Sequence, residues 1–348
     1  MTKSATKSVN RASTMGTMFH KAAIGAVIAG AAGMFATGIA TLDRTSRPDT
    51  DMRPTATRGP DEMKTVVWIE VDRTDTGTVI AKPANVTRAN LTGKLWELFR
   101  QIGYEIDGVR THGEVPRLFL ASLPSDLREL AGVSKRKITF IKSTLPLILH
   151  VNELILQDRA RLKSIHKRVT QSAEISADNK AWLEEIAELY GADRPDPEAL
   201  LRRVDIIPPS LAIAQAAEES GWGTSRFARE GNALFGQRAY RAHEKGIVPH
   251  DRGEGEAFKV RAYDHLIDGV KAYVHNLNSH FAYKDFRAAR AAMRAETDVV
   301  DGYHLAGALQ RYSERGADYI STIRLIMRAN TLTVFDRARL GNSVAPDA

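Results

Sequence analysis

Residues Leu211 to Gly236 read LAIAQAAEESGWGTSRFAREGNALFG. A run of small and apolar residues leads into Glu219-Ser220-Gly221-Trp222-Gly223, and Asn232-Ala233-Leu234-Phe235-Gly236 closes the stretch. Pro208-Pro209-Ser210 lies just upstream. Proline is tolerated in a first helical turn, where the amide has no intrahelical partner anyway. Ala212, Ala214, Ala216 and Ala217 let other elements approach a helix closely, and Gly221 suits the left-handed residue that ends one. Glu219 therefore falls in a last turn, where the negative end of the helix dipole favours a neutral carboxyl. Burial beside Trp222 adds a desolvation term of the same sign, so the stretch predicts a carboxyl that keeps a proton near neutral pH, as a general acid must. Two adjacent glutamates at a helix end are otherwise usually solvated surface residues; here their surroundings argue against that.

Working outward, the pattern stays helical from Pro116 onward. Ser125 is placed to cap a helix starting at Asp126. Ser134 is placed to cap a long one through Phe140, Leu145, Leu147, Leu149, Val151, Leu154 and Ile155 to about Lys167, kinked or split by Pro146. Asn179 to Tyr190 predicts a further helix stopped by Gly191, and Pro197 to Val204 another. Trp182, Ile186 and Leu189 recur at helical spacing and belong to packing. Nearer the N-terminus, residues 65–71 and 77–81 are short β-rich runs separated by a turn, and Leu91, Leu95, Leu98 and Ile102 share a helical face.

Ala22 to Leu42 contains no charge in 21 residues, long enough to span a bilayer, and Lys3, Lys7, Arg11 and Lys21 precede it. The positive-inside rule then keeps the N-terminus cytoplasmic and sends the body outward. An uncleaved anchor, a cleaved signal with Gly38-Ile39-Ala40 at its end, and a buried soluble helix are the three readings of this segment. Residues 43–64, rich in Thr, Arg, Asp and Pro, have the composition of a disordered tether.

Of the formal net charge of +7, residues 1–64 carry +4, leaving +3 for the other 284. Such a distribution is a topology signal and not a nucleic-acid footprint. The absence of cysteine excludes disulfides, thiolate metal sites and cysteine nucleophiles. The ten histidines form no metal-ligand pair, and His243, His250 and His265 are expected on a surface loop. No metal, cofactor or nucleic acid is implied.

Ala216 to Ser225 followed by Asn232-x-Leu234-Phe235-Gly236 resembles the bacterial Bax-like branch of the glucosaminidases, within glycoside hydrolase family 73. The likeness continues through Val260-Arg261-Ala262-Tyr263, with Val260 where that family usually has an aromatic. It also includes Tyr273 to Tyr283, with the cast Y-x-x-N-L-N-x-H-x-A-Y, and Val115 to Pro124 upstream. It covers about Val115 to Asn330.

The resemblance implies a mainly α fold: a lysozyme-like helical catalytic domain with a small β-hairpin lobe over a sugar-binding cleft. An N-terminal membrane helix and a small accessory region precede it. The expected organisation is a basic cytoplasmic tail over 1–21, the membrane or signal helix at 22–42, the linker at 43–64 and the accessory region at 65–114. The helical N-terminal part of the Bax-like region follows at 115–204, then the glucosaminidase domain at 205–335 and a tail at 336–348.

By the same resemblance the chain is an exported endo-β-N-acetylglucosaminidase acting on the β-1,4 bonds of peptidoglycan glycan strands. It is placed on the periplasmic or extracytoplasmic face and anchored in the inner membrane by residues 22–42. Glu219 is carried over as the general acid and Trp222 as a wall of the cleft. Asn232, Phe235 and Tyr263 join the substrate-binding set. Near the C-terminus, Tyr312 is the stronger candidate for supporting the transition state, and Tyr319 either lines the site or packs the last helix.

Glycoside cleavage needs a proton donor for the leaving oxygen and a group that stabilises or traps an oxocarbenium-like centre. Glu244, Asp251, Glu254 and Glu256 are the loop carboxylates available for the second role, with Glu256 favoured because it precedes the β-like run from Phe258 to Tyr263. Without a second carboxylate, the substrate's own N-acetyl group or non-hydrolytic cleavage by a lone acid completes the chemistry. A lytic transglycosylase and a non-catalytic glycan-binding protein are therefore the alternatives.

Overall fold

The computed structural model describes residues 91–241, 243–250 and 258–341 with their side chains, and the backbone of 69–71 and 79–81. The expected anchor at 22–42, the tether at 43–64 and the loop acids Asp251, Glu254 and Glu256 lie outside the described residues.

Strand β1 (Ile69–Val71) pairs antiparallel with β2 (Val79–Ala81), in agreement with the two β-rich runs. Helix α1 (Leu91–Gln101) buries Leu91, Leu95 and Phe99, and α2 (Ile106–His112) ends on Gly113 at φ 74°, the left-handed cap that glycine favours. Strand β3 (Glu114–Val115) and strand β4 (Leu118–Leu120) follow; β4 completes a sheet of order β2-β1-β4. Only a 3-10 turn, Leu127–Glu129, forms where a helix was expected from Asp126. Asp126 is instead committed to Thr92, accepting from its amide at 3.0 Å and from its hydroxyl at 2.6 Å.

Helix α3 (Val133–Thr170) runs unbroken for 38 residues with Pro146 inside it. The helix is not split at Pro146, because packing from several sides, by β4, α5, α6 and α8 defined here and below, holds it through the missing hydrogen bond. Among the described residues this is the one helix long and apolar enough to cross a membrane, and 78% of its apolar window is buried within the protein. It is a core helix. Helix α4 (Ala177–Leu189) is capped by Ser176, and α5 (Pro197–Arg203) by Asp196.

Helix α6 (Pro209–Ser220) is buried along almost its whole length. Its alanine surface allows the close approach of α3, α10 (Gly302–Leu305), α11 (Ala317–Ala329) and the 3-10 segment Leu332–Arg337. Between α6 and α10 lie α7 (Arg226–Gly231), α8 (Leu266–Ser279) and α9 (Lys284–Glu296). The β-lobe has three strands in the order β5-β7-β6: β5 (Arg238–Ala239), β6 (Gly246–Ile247) and β7 (Lys259–Arg261), antiparallel throughout. Strand β8 (Arg339–Leu340) returns to pair in parallel with β3.

One apolar core runs through these elements, from Leu95 and Phe99 through Phe140, Leu211 and Tyr273 to Phe335 and Leu340. Helices α1 and α2 bury their apolar faces in the same core as α6. The junction before α6 is fixed by charge. Asp205, 2% exposed, faces Arg294 at 2.9 Å and Arg159 at 3.5 Å, while the buried Arg290 donates to the carbonyls of Asp205 and Ile206. An unpaired buried charge would be costly; this cluster gives each cation a carboxylate or carbonyl to meet.

Candidate active site

Glu219 sits in the last turn of α6, partly buried, with its carboxyl toward α11. The Tyr319 hydroxyl, from the first turn of α11, donates to Glu219 Oε1 at 3.0 Å. Gln215, one turn earlier on α6 and fully buried, donates from Nε2 to the Tyr319 hydroxyl at 3.0 Å. The Tyr273 hydroxyl, from α8, donates to Gln215 Oε1 at 2.7 Å. The chain of bonds therefore runs from Tyr273 through Gln215 and Tyr319 to Glu219, and each group in it uses a donor and acceptor of the right kind.

Aromatic rings close the surroundings. Tyr312 stacks on Tyr319 with centroids 5.4 Å apart and planes 15° apart, and Tyr283 lies 6.1 Å from Tyr312. Phe235 stacks on Tyr273 at 3.9 Å and 5°. Gly236, at φ 62°, brings its backbone close to the other carboxyl oxygen: a Cβ there would lie 3.5 Å from Oε2. Burial among these groups pushes the Glu219 pKa up to about 7. The Tyr319 hydrogen bond and Arg315 oppose that shift, and the neighbouring Glu218 adds to it. Burial likewise holds Tyr273, Tyr312 and Tyr319 well above the ordinary tyrosine range, so they act as neutral hydroxyls. Glu218 points elsewhere and pairs with Arg315 at 2.8 Å.

Glu219, Tyr312 and Tyr319 are thus brought together, with Tyr319 lining the site as one of its two expected placements. Tyr319 reaches the acid. Tyr312 backs Tyr319, and its hydroxyl has no hydrogen-bond partner among the described residues. Trp222 is engaged on the α3 side. Gly221, Trp222 and Gly223 are all left-handed, at φ 58°, 58° and 77°, an uncommon conformation for tryptophan. They turn the indole toward α3, where it meets Phe140 edge-on at 5.8 Å and carries the Lys137 ammonium 4.7 Å above its face. Only glycine fits at 223, where a Cβ would come within 2.4 Å of Leu123.

The other expected ligand-binding residues hold the scaffold. Asn232, at φ 52°, ends α7 and donates from Nδ2 to the carbonyls of Tyr263 and Asp264 at 3.1 and 3.0 Å. Phe235 is buried against Tyr273. The Tyr263 hydroxyl donates to Gln237, tying the end of β7 to the start of β5. Glu244 is spent on a turn, accepting from the amides of Tyr240 and Arg241 at 3.0 Å each. Glu256 lies outside the described residues. Gln215 and Tyr273 were absent from the expected set, although a lone polar residue four positions before Glu219 in an apolar helix was a visible signal for Gln215.

The family model described as mannosyl-glycoprotein endo-beta-N-acetylglucosaminidase matches residues 195–332, which include every member of this cluster. Protein bax of Escherichia coli (strain K12) is 36% identical over 205 residues, covering 57% of this chain and 71% of bax. The chain belongs to the Bax-like glucosaminidases. Among solved structures, the catalytic domain of the autolysin Auto from Listeria monocytogenes aligns with 49% of this chain and 96% of its own length, at 17% identity. The TM-score of 0.30 is too low to carry weight on the fold. In this Bax-like glucosaminidase the family match begins just before α5, so α1, α2 and α3 support the matched region from outside it. No group of three or more His, Asp or Glu side chains spaced to hold a metal occurs among the described residues.

Proposed function

We propose that this protein is an exported endo-β-N-acetylglucosaminidase that cleaves β-1,4 bonds in peptidoglycan, with Glu219 as general acid. One observation carries the reading: a carboxyl with its pKa near 7, held by a single tyrosine donor within a shell of neutral tyrosines. Because the Tyr319 oxygen accepts from Gln215, its one proton is directed at Glu219 Oε1. The acid proton then resides on Oε2, beside Gly236, and passes to the leaving glycosidic oxygen as the C–O bond breaks. The carboxylate left behind is stabilised by the Tyr319 hydroxyl, a charge-assisted bond stronger than the one to the neutral acid. The free hydroxyl of Tyr312 is the polar group available toward substrate.

The uncharged stretch 22–42 behind four basic residues supports export and attachment to the inner membrane. Lytic transglycosylation is the second reading. It is favoured by one observation: among the described residues, Glu218, the acid that acts electrostatically on Glu219, is engaged by Arg315.

Digestion of purified peptidoglycan with mass spectrometry of the product ends tests both. Reducing N-acetylglucosamine ends that vanish with Glu219→Gln are the expected result. Anhydro ends establish the second reading, and product release unchanged by that substitution overturns both.

A further inference from the structure

Beyond the acid cluster, a groove of about 330 Å³ opens where the C-terminal end of α6 meets the first turn of α3. Arg128, Arg136 and Lys137 line it together with Trp222, Val133 and Thr224. Gly221, also on its wall, is two residues from Glu219, so their Cα atoms are at most about 7 Å apart. None of the three cations pairs with an acidic side chain among the described residues, whereas Arg100, Arg117, Arg294 and Arg315 all do. Asp126, close by in sequence, is occupied by Thr92.

The first turn of α3 also contains no acidic residue, so the positive end of its dipole adds to the same field. Arg136 spends one N–H on the Arg128 carbonyl at 3.2 Å, which fixes its guanidinium and leaves other donors free. Lys137 is steadied over the indole at 4.7 Å. Val133, 59% exposed, supplies an apolar lip. An indole, an apolar edge and unneutralised guanidinium groups suit a sugar that bears a carboxylate-containing substituent, since guanidinium binds carboxylate through paired donors.

We infer that this groove is an anionic-substituent subsite, holding the carboxylates of a peptide-bearing muramic residue while the scissile bond lies at Glu219. It deepens the peptidoglycan reading above and rests on it. The subsite makes the protein prefer peptide-substituted glycan over neutral N-acetylglucosamine oligomers.

The test uses the full chain carrying Glu219→Gln, so that binding is measured without turnover. The probes are peptide-bearing glycan fragments and neutral N-acetylglucosamine oligomers of equal length, titrated calorimetrically at two salt concentrations. Arg136→Gln with Lys137→Gln is expected to weaken binding of the charged fragments about tenfold at low salt, to flatten the salt dependence, and to shift neutral oligomers by less than twofold. Arg136→Lys keeps the charge but not the paired donors, so it is expected to keep the salt dependence while losing part of the charged-fragment affinity, separating charge from loss of fold. Equal losses for both probes, no loss for either, or cation-dependent binding to phosphatidylglycerol vesicles in place of the fragments overturns the inference. If the unsubstituted enzyme cleaves no glycan but the binding preference holds, the catalytic reading fails and the subsite stands.

Discussion

Asp336 meets α6 at its first turn and Glu219 closes its last, and both carboxyls are partly buried, yet their surroundings are opposite. Asp336 accepts from the Ser210 amide at 2.9 Å, the Ser210 hydroxyl at 2.8 Å and the Gly302 amide at 2.9 Å. It supplies from 126 residues away the cap that Pro208 cannot give. Burial pushes its pKa up to about 6 against those three donors. Glu219 accepts one hydrogen bond, from Tyr319, and its burial carries it to about 7. A carboxyl whose oxygens already accept three protein donors has little left to offer a ligand. One that is buried but underbonded, at the negative end of the same dipole, has a lone pair and a proton to offer. Burial by itself does not distinguish a structural acid from a catalytic one; the number of donors around it does.

The largest test of that contrast is the loss of the acid itself. Glu219→Gln removes the transferable proton with little change of shape, and a roughly 10²- to 10⁴-fold fall in kcat on peptidoglycan is expected. Rates of soluble product release measure it. A fall of less than tenfold would remove Glu219 from the chemistry. Next comes the opposite end. Asp336→Ala leaves two amides and a hydroxyl without an acceptor in a buried corner, a loss of about 2–4 kcal/mol in urea unfolding. Folded Asp336→Ala protein is expected to keep the parent's pH dependence of kcat, because no bond links Asp336 to Glu219.

Stability against pH sharpens the comparison. Glu219 is protonated in both folded and unfolded chains below about pH 4.5 and contributes no difference there. Between 4.5 and about 7 the unfolded chain releases the proton and the folded one keeps it, so stability falls as pH rises. Above 7 the full penalty of a charged, desolvated carboxyl applies, up to about 3 kcal/mol from the size of the shift. Glu219→Gln has no such slope and is expected to unfold at higher urea than the parent at pH 8, with the gap closing by pH 4.5. Asp336 titrates in both proteins, so subtracting the two curves isolates Glu219.

What the sequence disclosed was local. The alanine run, the proline start and Gly221 place α6 to within a residue, and the helix end places Glu219, because those signals act on neighbouring residues. The partners of each end are far away in the chain. Asp336 and Tyr273 arrive through the packing of α8 and the last 3-10 segment, and nothing in their own neighbourhoods announces it; Tyr319 entered the expected site through the family resemblance and not through its own neighbourhood. Which of Tyr312 and Tyr319 reaches the acid has the same origin: Tyr312 precedes α11 and Tyr319 opens it, and only the packing of that segment against α6 decides. The direction of the Trp222 indole was not legible for a different reason. Three consecutive left-handed residues reverse the chain, and the sequence Gly-Trp-Gly permits that turn without saying which way the indole then faces.

The smallest expected effects settle which oxygen of Glu219 carries the proton. Tyr319→Phe deletes the one donor to Oε1, so the carboxylate loses its stabilising bond and the acid holds its proton more tightly. The alkaline limb of kcat/KM is expected to move up by about one pH unit, a change worth about 1.4 kcal/mol. Gln215→Leu touches neither Glu219 nor substrate. With Gln215 Nε2 facing Tyr319, the tyrosine already gives its proton to Oε1, so deleting the amide leaves that bond in place. The limb then stays or rises slightly as the hydroxyl loosens. With the amide reversed, Tyr319 would donate to Gln215 and accept from Glu219. Removing Gln215 would then release the tyrosine proton toward the carboxylate and drive the limb down. A downward shift in Gln215→Leu would therefore move the acid proton from Oε2 to Oε1, away from the position beside Gly236, while an unchanged or raised limb keeps it where the leaving oxygen can take it.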